Sequence, residues 1–389
     1  MNRKQQFFQS LWAVDSLVAT EPTSGTFHQL APLLRDRDIY REFWQLLSRP
    51  DWIEPLEGGG YFAPPIYALT QPGKPGSQEP WAASQFLVRM ATDNPKLVTG
   101  ILSKIDTNNP SILGDMVQAT MKMPIGDAAP LLQRVARILD KGTELYAFHQ
   151  RDLLILIKKL WESPAQSAVA FHLARTYLFP KVKAEGVSQR REEYNFFEAL
   201  EALIPLMTKL RPEETVRCLC TRLVEAIGDK DKLVRAEEPT LDYSFMWRPA
   251  IEEHEQNSTY DFAGRLVSPL RNASEQAIGE ERVTLDKVLR KVRGYRFLIF
   301  RRLAVHLINV FAEENRELAC STMMQKRLFD DTKYKHEYAM LVGRRFNLLD
   351  SQHKDRYFNW VHAGPDMAGF DDRIESNVGR GPTEEERRG

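Results

Sequence analysis

The sequence predicts an all-α protein, a superhelical array of amphipathic helical hairpins. Three observations lead there. Apolar residues recur at helical spacing along most of the chain, and the strict alternation of a half-buried strand is nearly absent. Proline following Asn, Met or Ser punctuates these segments at intervals of roughly 15 residues, so a helix pair takes about 30–40. Each helix carries one apolar stripe and needs neighbours on both sides to cover it, which favours stacking over an irregular globule.

Residues 1–80 read as N-terminal helices followed by a Gly/Pro-rich connector. The opening MNRKQQFFQSLWAVDSLVATEP is basic at its start, but Gln9, Ser10 and Asp15 interrupt its apolar run and no small-residue cleavage site follows. It predicts an amphipathic first helix and not a signal peptide. Gly58, Gly59 and Gly60 raise the question of a phosphate loop. Such a loop needs Lys and Ser/Thr directly after the glycines, whereas Tyr61, Phe62, Ala63, Pro64 and Pro65 follow here. The glycines therefore predict a tight turn whose aromatic neighbours dock on the helices.

Residues 81–235 predict helical repeats. In NPKLVTGILSKI, Leu97, Val98, Ile101, Leu102 and Ile105 share a side, and Pro95 sits where a first-turn proline is tolerated. In NPSILGDMVQATMKMP, Asn109 is the cap, Pro110 begins the helix, Ile112, Leu113, Met116 and Val117 form its stripe, and Pro124 marks the exit. GDAAPLLQRVARIL, QRDLLILIKKLW and SPAQSAVAFHLARTYL continue the series, followed by helices over 195–210 and 212–227. Residues 236–261 break the period with two prolines, many polar groups and several aromatics, and read as an irregular insertion. Residues 262–364 predict further repeats, with Phe300, Leu303, Ala304, Leu307, Val310 and Phe311 on one face. The polar, Gly-containing 365–389 reads as a disordered tail or linker.

Composition narrows the function classes. Hydrophobic residues are 43% and charged residues 27%, enough to build a core. Lys+Arg 53 against Asp+Glu 53 leaves no global field toward nucleic acid or membrane, so any attraction must come from a local patch. Three cysteines, Cys218, Cys220 and Cys320, suit a reducing compartment, and no apolar run approaches the ~18 residues that span a bilayer. The expectation is a cytoplasmic protein without membrane contact.

Catalytic and metal signatures are missing. Cys218 and Cys220 lie two apart on a predicted helix, so their side chains diverge by about 200°. The eight histidines include no i, i+4 pair, and no GxSxG elbow or HExxH occurs. Glu252, Glu253, His254 and Glu255 read as a solvated charged loop. No cofactor is expected. One region is chemically biased: DKVLRKVRGYRFLIFRR places Lys287, Arg290, Lys291, Arg293, Arg296, Arg301 and Arg302 against the single acid Asp286. A smaller basic group comprises Lys181, Lys183, Arg190 and Arg191. These charges either solvate helix faces and pair with acids such as Glu280, Glu281, Glu313 and Glu314, or merge into a stripe that follows a phosphate backbone. In the insertion, Tyr243, Phe245 and Trp247 either anchor a protein partner or pack against the repeats.

FWQLLSRPDWIEPLEGGGYFAPPI, WAASQFLVRMATDNPKLVTGILSKI and RLFDDTKYKHEYAMLVGRRFNLLDSQHKDRYFNWVHAGP resemble segments of large bacterial helical-repeat proteins. Such proteins are similar to HEAT/armadillo arrays, and some accompany ATPase or nuclease components in anti-phage defence systems. The resemblance implies a HEAT/armadillo-like fold and a partner such as an ATPase or nuclease of a bacterial defence assembly, while the repetitive helices, neutral charge and missing catalytic motifs predict a non-catalytic scaffold that binds a protein partner. The alternative function is nucleic-acid binding through the patch at 287–302, and a third reading is an enzyme whose dispersed site leaves no motif in the sequence.

Overall fold

The computed structural model describes residues 3–66, 69, 79–140, 150–179, 189–228, 242–257, 262–364, 380 and 383. Among the described residues all regular structure is helical, with no strand. The chain divides into two compact units, Met1–Leu206 and Met207–Gly389. Of the insertion, residues 242–257 are described. The segment 365–389, apart from Arg380 and Thr383, lies outside the described residues, as do Lys181, Lys183 and the side chains of Arg190 and Arg191.

The first unit holds α1 (Arg3–Val18), α2 (Ser24–Leu33), α3 (Arg37–Leu46), α4 (Ile53–Gly58), α5 (Ala82–Met90), α6 (Pro95–Leu102), α7 (Pro110–Lys122), α8 (Ile125–Asp140), α9 (Gln150–Trp161) and α10 (Ser167–Leu178). The packing skips alternate helices. α1, α3, α5, α7 and α9 lie against one another in succession, and α4, α6, α8 and α10 do the same. Sequential helices also touch, α5 with α6, α7 with α8 and α9 with α10, so each apolar stripe is covered by more than one neighbour.

Local chemistry places these elements. Asn109 accepts from Ser111 N at 2.9 Å and Pro110 follows in the first turn, so α7 starts where an orphan donor finds a partner. Ile112, Leu113, Met116 and Val117 are all buried. Gly60 adopts φ +76° after α4. There Tyr61 N donates back to Leu56 O at 2.9 Å, closing the helix in a way a Cβ would strain. Phe62 then packs 5.2 Å from Trp44 and Tyr61 5.4 Å from Phe27. These rings join Phe43, Trp52 and Phe86 in an aromatic core. Proline is not always punctuation, however: Pro130 lies inside α8.

α11 (Gln189–Leu210) contains the boundary between the units. The second unit holds α12 (Pro212–Gly228), α13 (Ser244–Trp247), α14 (Phe262–Gly279), α15 (Leu285–Arg293), α16 (Leu298–Val310), α17 (Arg316–Met323), α18 (Lys326–Asp330), α19 (Lys335–Arg345) and α20 (Ser351–Ala363). α12 packs on α14, α14 on α16, and α16 also touches α13, α15, α17 and α19. The single apolar face expected of α16 is too narrow. Phe300, Leu303, Ala304 and Leu307 are buried as expected, whereas Val310 is exposed and Phe311 half-buried, and Ile299, Arg302, Val305, His306 and Ile308 are buried on its other sides. A helix wrapped by five others has no solvent side along most of its length, and polar side chains there must find partners inside the protein.

Candidate functional site

Two features of the second unit concentrate polar chemistry, and both use α16. The first is a charge network beneath the segment 242–257. Asp242 is buried, and its carboxylate accepts from Ser244 N at 2.8 Å and from Ile299 N at 2.9 Å. It thereby satisfies the first turn of α16 from outside the helix. Arg302 and Glu337 form a doubly hydrogen-bonded pair, with Nε to Oε2 and Nη2 to Oε1 both 2.8 Å, and each side chain is only 1% exposed. The rest of Arg302 serves the insertion backbone, donating to Arg248 O at 2.8 Å and Pro249 O at 2.7 Å. Glu337 Oε1 also accepts from Ile251 N at 3.0 Å.

Two more arginines complete the clamp. Arg248 donates to Ile251 O at 3.2 Å and Ser268 Oγ at 2.9 Å, and Arg271 donates to Ile251 O at 3.0 Å and Glu253 Oε1 at 2.8 Å. Burial pushes the Arg248 guanidinium down to about 10. Burial alone would raise the Glu253 carboxyl, but the Ser268 hydroxyl and Arg271 hold it below the usual carboxylate range. Glu252 sits 3.4 Å from His336 Nε2 and 3.6 Å from Arg344. The acidic run at 252–255 is therefore not simply solvated. Glu252 and Glu253 are tied to residues 15 to 92 positions away, and pairing at that separation leaves no periodic mark in a sequence.

Of the three aromatics singled out above, Trp247 donates Nε1–H to Asp242 O at 2.7 Å and is half-buried. Tyr243 takes a left-handed backbone at φ 51°, and its ring lies 6.2 Å from that of Phe245. Both rings are half-buried, and between Phe245 and Trp247 stands Met246, 68% exposed.

The second feature concerns the basic segment, which does not act as one surface. Lys287 pairs with Glu213 at 3.6 Å and Arg290 with Asp286 at 2.9 Å. Lys291 lies near the Cys220 thiol, which burial pushes up and Lys291 opposes. Arg296 stacks 4.8 Å over the Phe297 ring, and Arg302 is committed to Glu337. Arg293 and Arg301 remain, and the fold brings them together with a third arginine absent from the sequence reading. A cleft of about 380 Å³ is lined by Arg293, Arg301, Arg327, Thr322, Gln325 and Tyr334, over a floor of Ala304, Val305 and Leu328.

No carboxylate lines this cleft, and among the described residues none pairs with Arg293, Arg301 or Arg327. Burial pushes the Tyr334 phenol up, with the nearby Arg301 guanidinium opposing. Partial burial, and then the like charge of Arg327, hold the Arg293 guanidinium below its ordinary value, with Asp286 opposing from outside the cleft. Three guanidiniums lining one space present several charge-assisted donors to it. Arg327 and Tyr334 were missed because KRLFDDTKY reads as an ordinary mixed-charge stretch. Only the packing of α16 on the 316–345 helices shows where they point.

Among the described residues no group of three or more His, Cys, Asp or Glu is placed to hold a metal, and no helix is long and apolar enough to cross a membrane. Comparison with known protein families, with characterised proteins and with solved structures returned no match. Fold and site together define an all-helical chain whose second unit carries a clamped surface segment and an arginine-lined cleft.

Proposed function

We propose that this chain is a non-catalytic recognition scaffold, a HEAT/armadillo-like array of stacked hairpins that binds a protein partner through α13. One observation carries the reading. Three arginines, each nine-tenths or more buried, together with Glu337 and Asp242, direct their hydrogen bonds at holding the irregular segment 242–257 in one shape. Burying that many charges contributes little net stability compared with apolar packing, so its use suits a segment whose exact shape matters. What the clamp leaves outward is Met246 between half-buried aromatics, the side-chain types that dominate binding energies.

The sequence resemblance makes an ATPase or nuclease component of a bacterial defence assembly the first partner to try. The nucleic-acid alternative along 287–302 draws less support, since Lys287, Arg290 and Arg302 already face acids. A photo-crosslinking residue placed at Met246 should give one discrete adduct with a protein partner in cells. The same residue placed at the exposed Ala339 of α19 serves as control. An identical set of adducts at both positions, or none at Met246, refutes the reading.

A further inference from the structure

The cleft between α15, α16 and α18 differs from the rest of the basic segment in shape and in charge. It is a bounded space of about 380 Å³, at the lower end of small-molecule sites and far short of a groove that tracks a nucleic-acid strand. Two of the basic residues that would extend it into a stripe are already paired, Lys287 with Glu213 and Arg290 with Asp286, and Arg296 lies over the Phe297 ring. Inside it, Arg293, Arg301 and Arg327 are linked through one another and through Tyr334, with no acid among the lining groups. Like charges gathered in this way repel; Asp286 offsets part of this at Arg293 from outside the cleft, and an anion inside it would relieve the rest.

We propose that the Arg293–Arg301–Arg327 cleft binds a phosphate dianion carried by a small molecule. A phosphodiester bears one negative charge and leaves the three guanidiniums largely uncompensated. A terminal phosphate bears about two and offers three acceptor oxygens, one for each arginine. The Tyr334 and Gln325 side chains supply neutral donors beside it, and Val305 and Leu328 give the organic part an apolar wall. The inference stands independently of the protein partner at α13.

Calorimetric titration of the intact chain tests it, with inorganic phosphate, AMP, adenosine and a 5′-hydroxyl oligonucleotide as probes. Phosphate and AMP are expected to bind and adenosine not to. AMP binding more tightly than phosphate places an organic group on the Val305–Leu328 wall, while equal affinities mark free phosphate as the ligand; both bear out the dianion seat. Arg327→Ala and Arg293→Ala should each weaken binding by about tenfold or more, the scale of one charge-assisted contact. Arg290→Ala, on the same helix but outside the cleft, should leave it unchanged. Thermal unfolding confirms that each variant is folded. Binding should also weaken as pH falls through about 6, where a phosphate monoester loses its second charge while arginine keeps its own. Three results would overturn the proposal: no binding of phosphate or AMP, equal losses in the Arg290 variant, or tighter binding of the oligonucleotide than of AMP.

Discussion

Replacing Glu337 with alanine removes the carboxylate that faces Arg302 from two directions and the acceptor of Ile251 N–H. Both partners are essentially dry, so the guanidinium left behind cannot recover its lost bonds from water. Breaking one side of a buried pair typically costs about 3–5 kcal/mol, and the same range is expected here for the second unit. A double replacement, Arg302→Met with Glu337→Leu, separates charge from geometry. In many proteins such an apolar exchange is close to neutral. In this one it should not be, because Arg248 O, Pro249 O and Ile251 N all lose their partners, and each orphaned buried group costs about 1–3 kcal/mol. The double variant should therefore remain destabilised, yet by less than the sum of the single losses. Denaturant unfolding reads the global effect, and hydrogen exchange at the Ile251 amide reads the local one, which matters because two units need not unfold together. A Glu337→Ala chain with an unmoved unfolding midpoint and a still-protected Ile251 amide would refute the reasoning.

The remaining predictions concern single groups. Burial pushes the Asp115 carboxyl up to about 6, with a hydrogen bond from Ser84 opposing. The folded state therefore holds a proton that the unfolded chain releases near 4, so stability from this group falls as pH rises from about 4 to 6. Asp115→Asn should stabilise the first unit at pH 7 by on the order of 2 kcal/mol and flatten that pH dependence, as thermal melts across pH 4–8 would show. Asp242→Ala removes the acceptor of Ser244 N and Ile299 N together and should cost about 2 kcal/mol, with exchange at the Ile299 amide rising most. Asn109→Ala loses both the bond from Ser111 N and the bond to Glu79 O, a cost of about 1–2 kcal/mol. Asn109→Asp, which keeps the acceptor but not the donor, should recover only part of that, measured as the shift in unfolding midpoint.

Helix positions were readable wherever the cause is local. Asn109 and Pro110 start α7 through bonds spanning two residues, the stripe of α7 is buried as its spacing implies, and the glycines after α4 close that helix through a contact five residues long. The site was readable only in part. Arg293, Arg301 and Arg302 look alike in RKVRGYRFLIFRR, yet Arg301 opens into a cleft and Arg302 disappears into the core. Neighbours on a helix point about 100° apart, and which direction meets solvent depends on elements packed from elsewhere in the chain.

Short-range propensity, capping and apolar spacing were enough to make this chain helical and to mark the bounds of helices such as α6, α7 and α12, because those energies act within one turn, whereas α11 begins six residues before the expected 195. The partners of Asp242, Glu253 and Glu337, and the meeting of Arg293 with Arg327, arise from contacts across 15 to 86 residues. Such contacts exist only once the helices have stacked, since a charge is held by whatever the completed packing sets beside it.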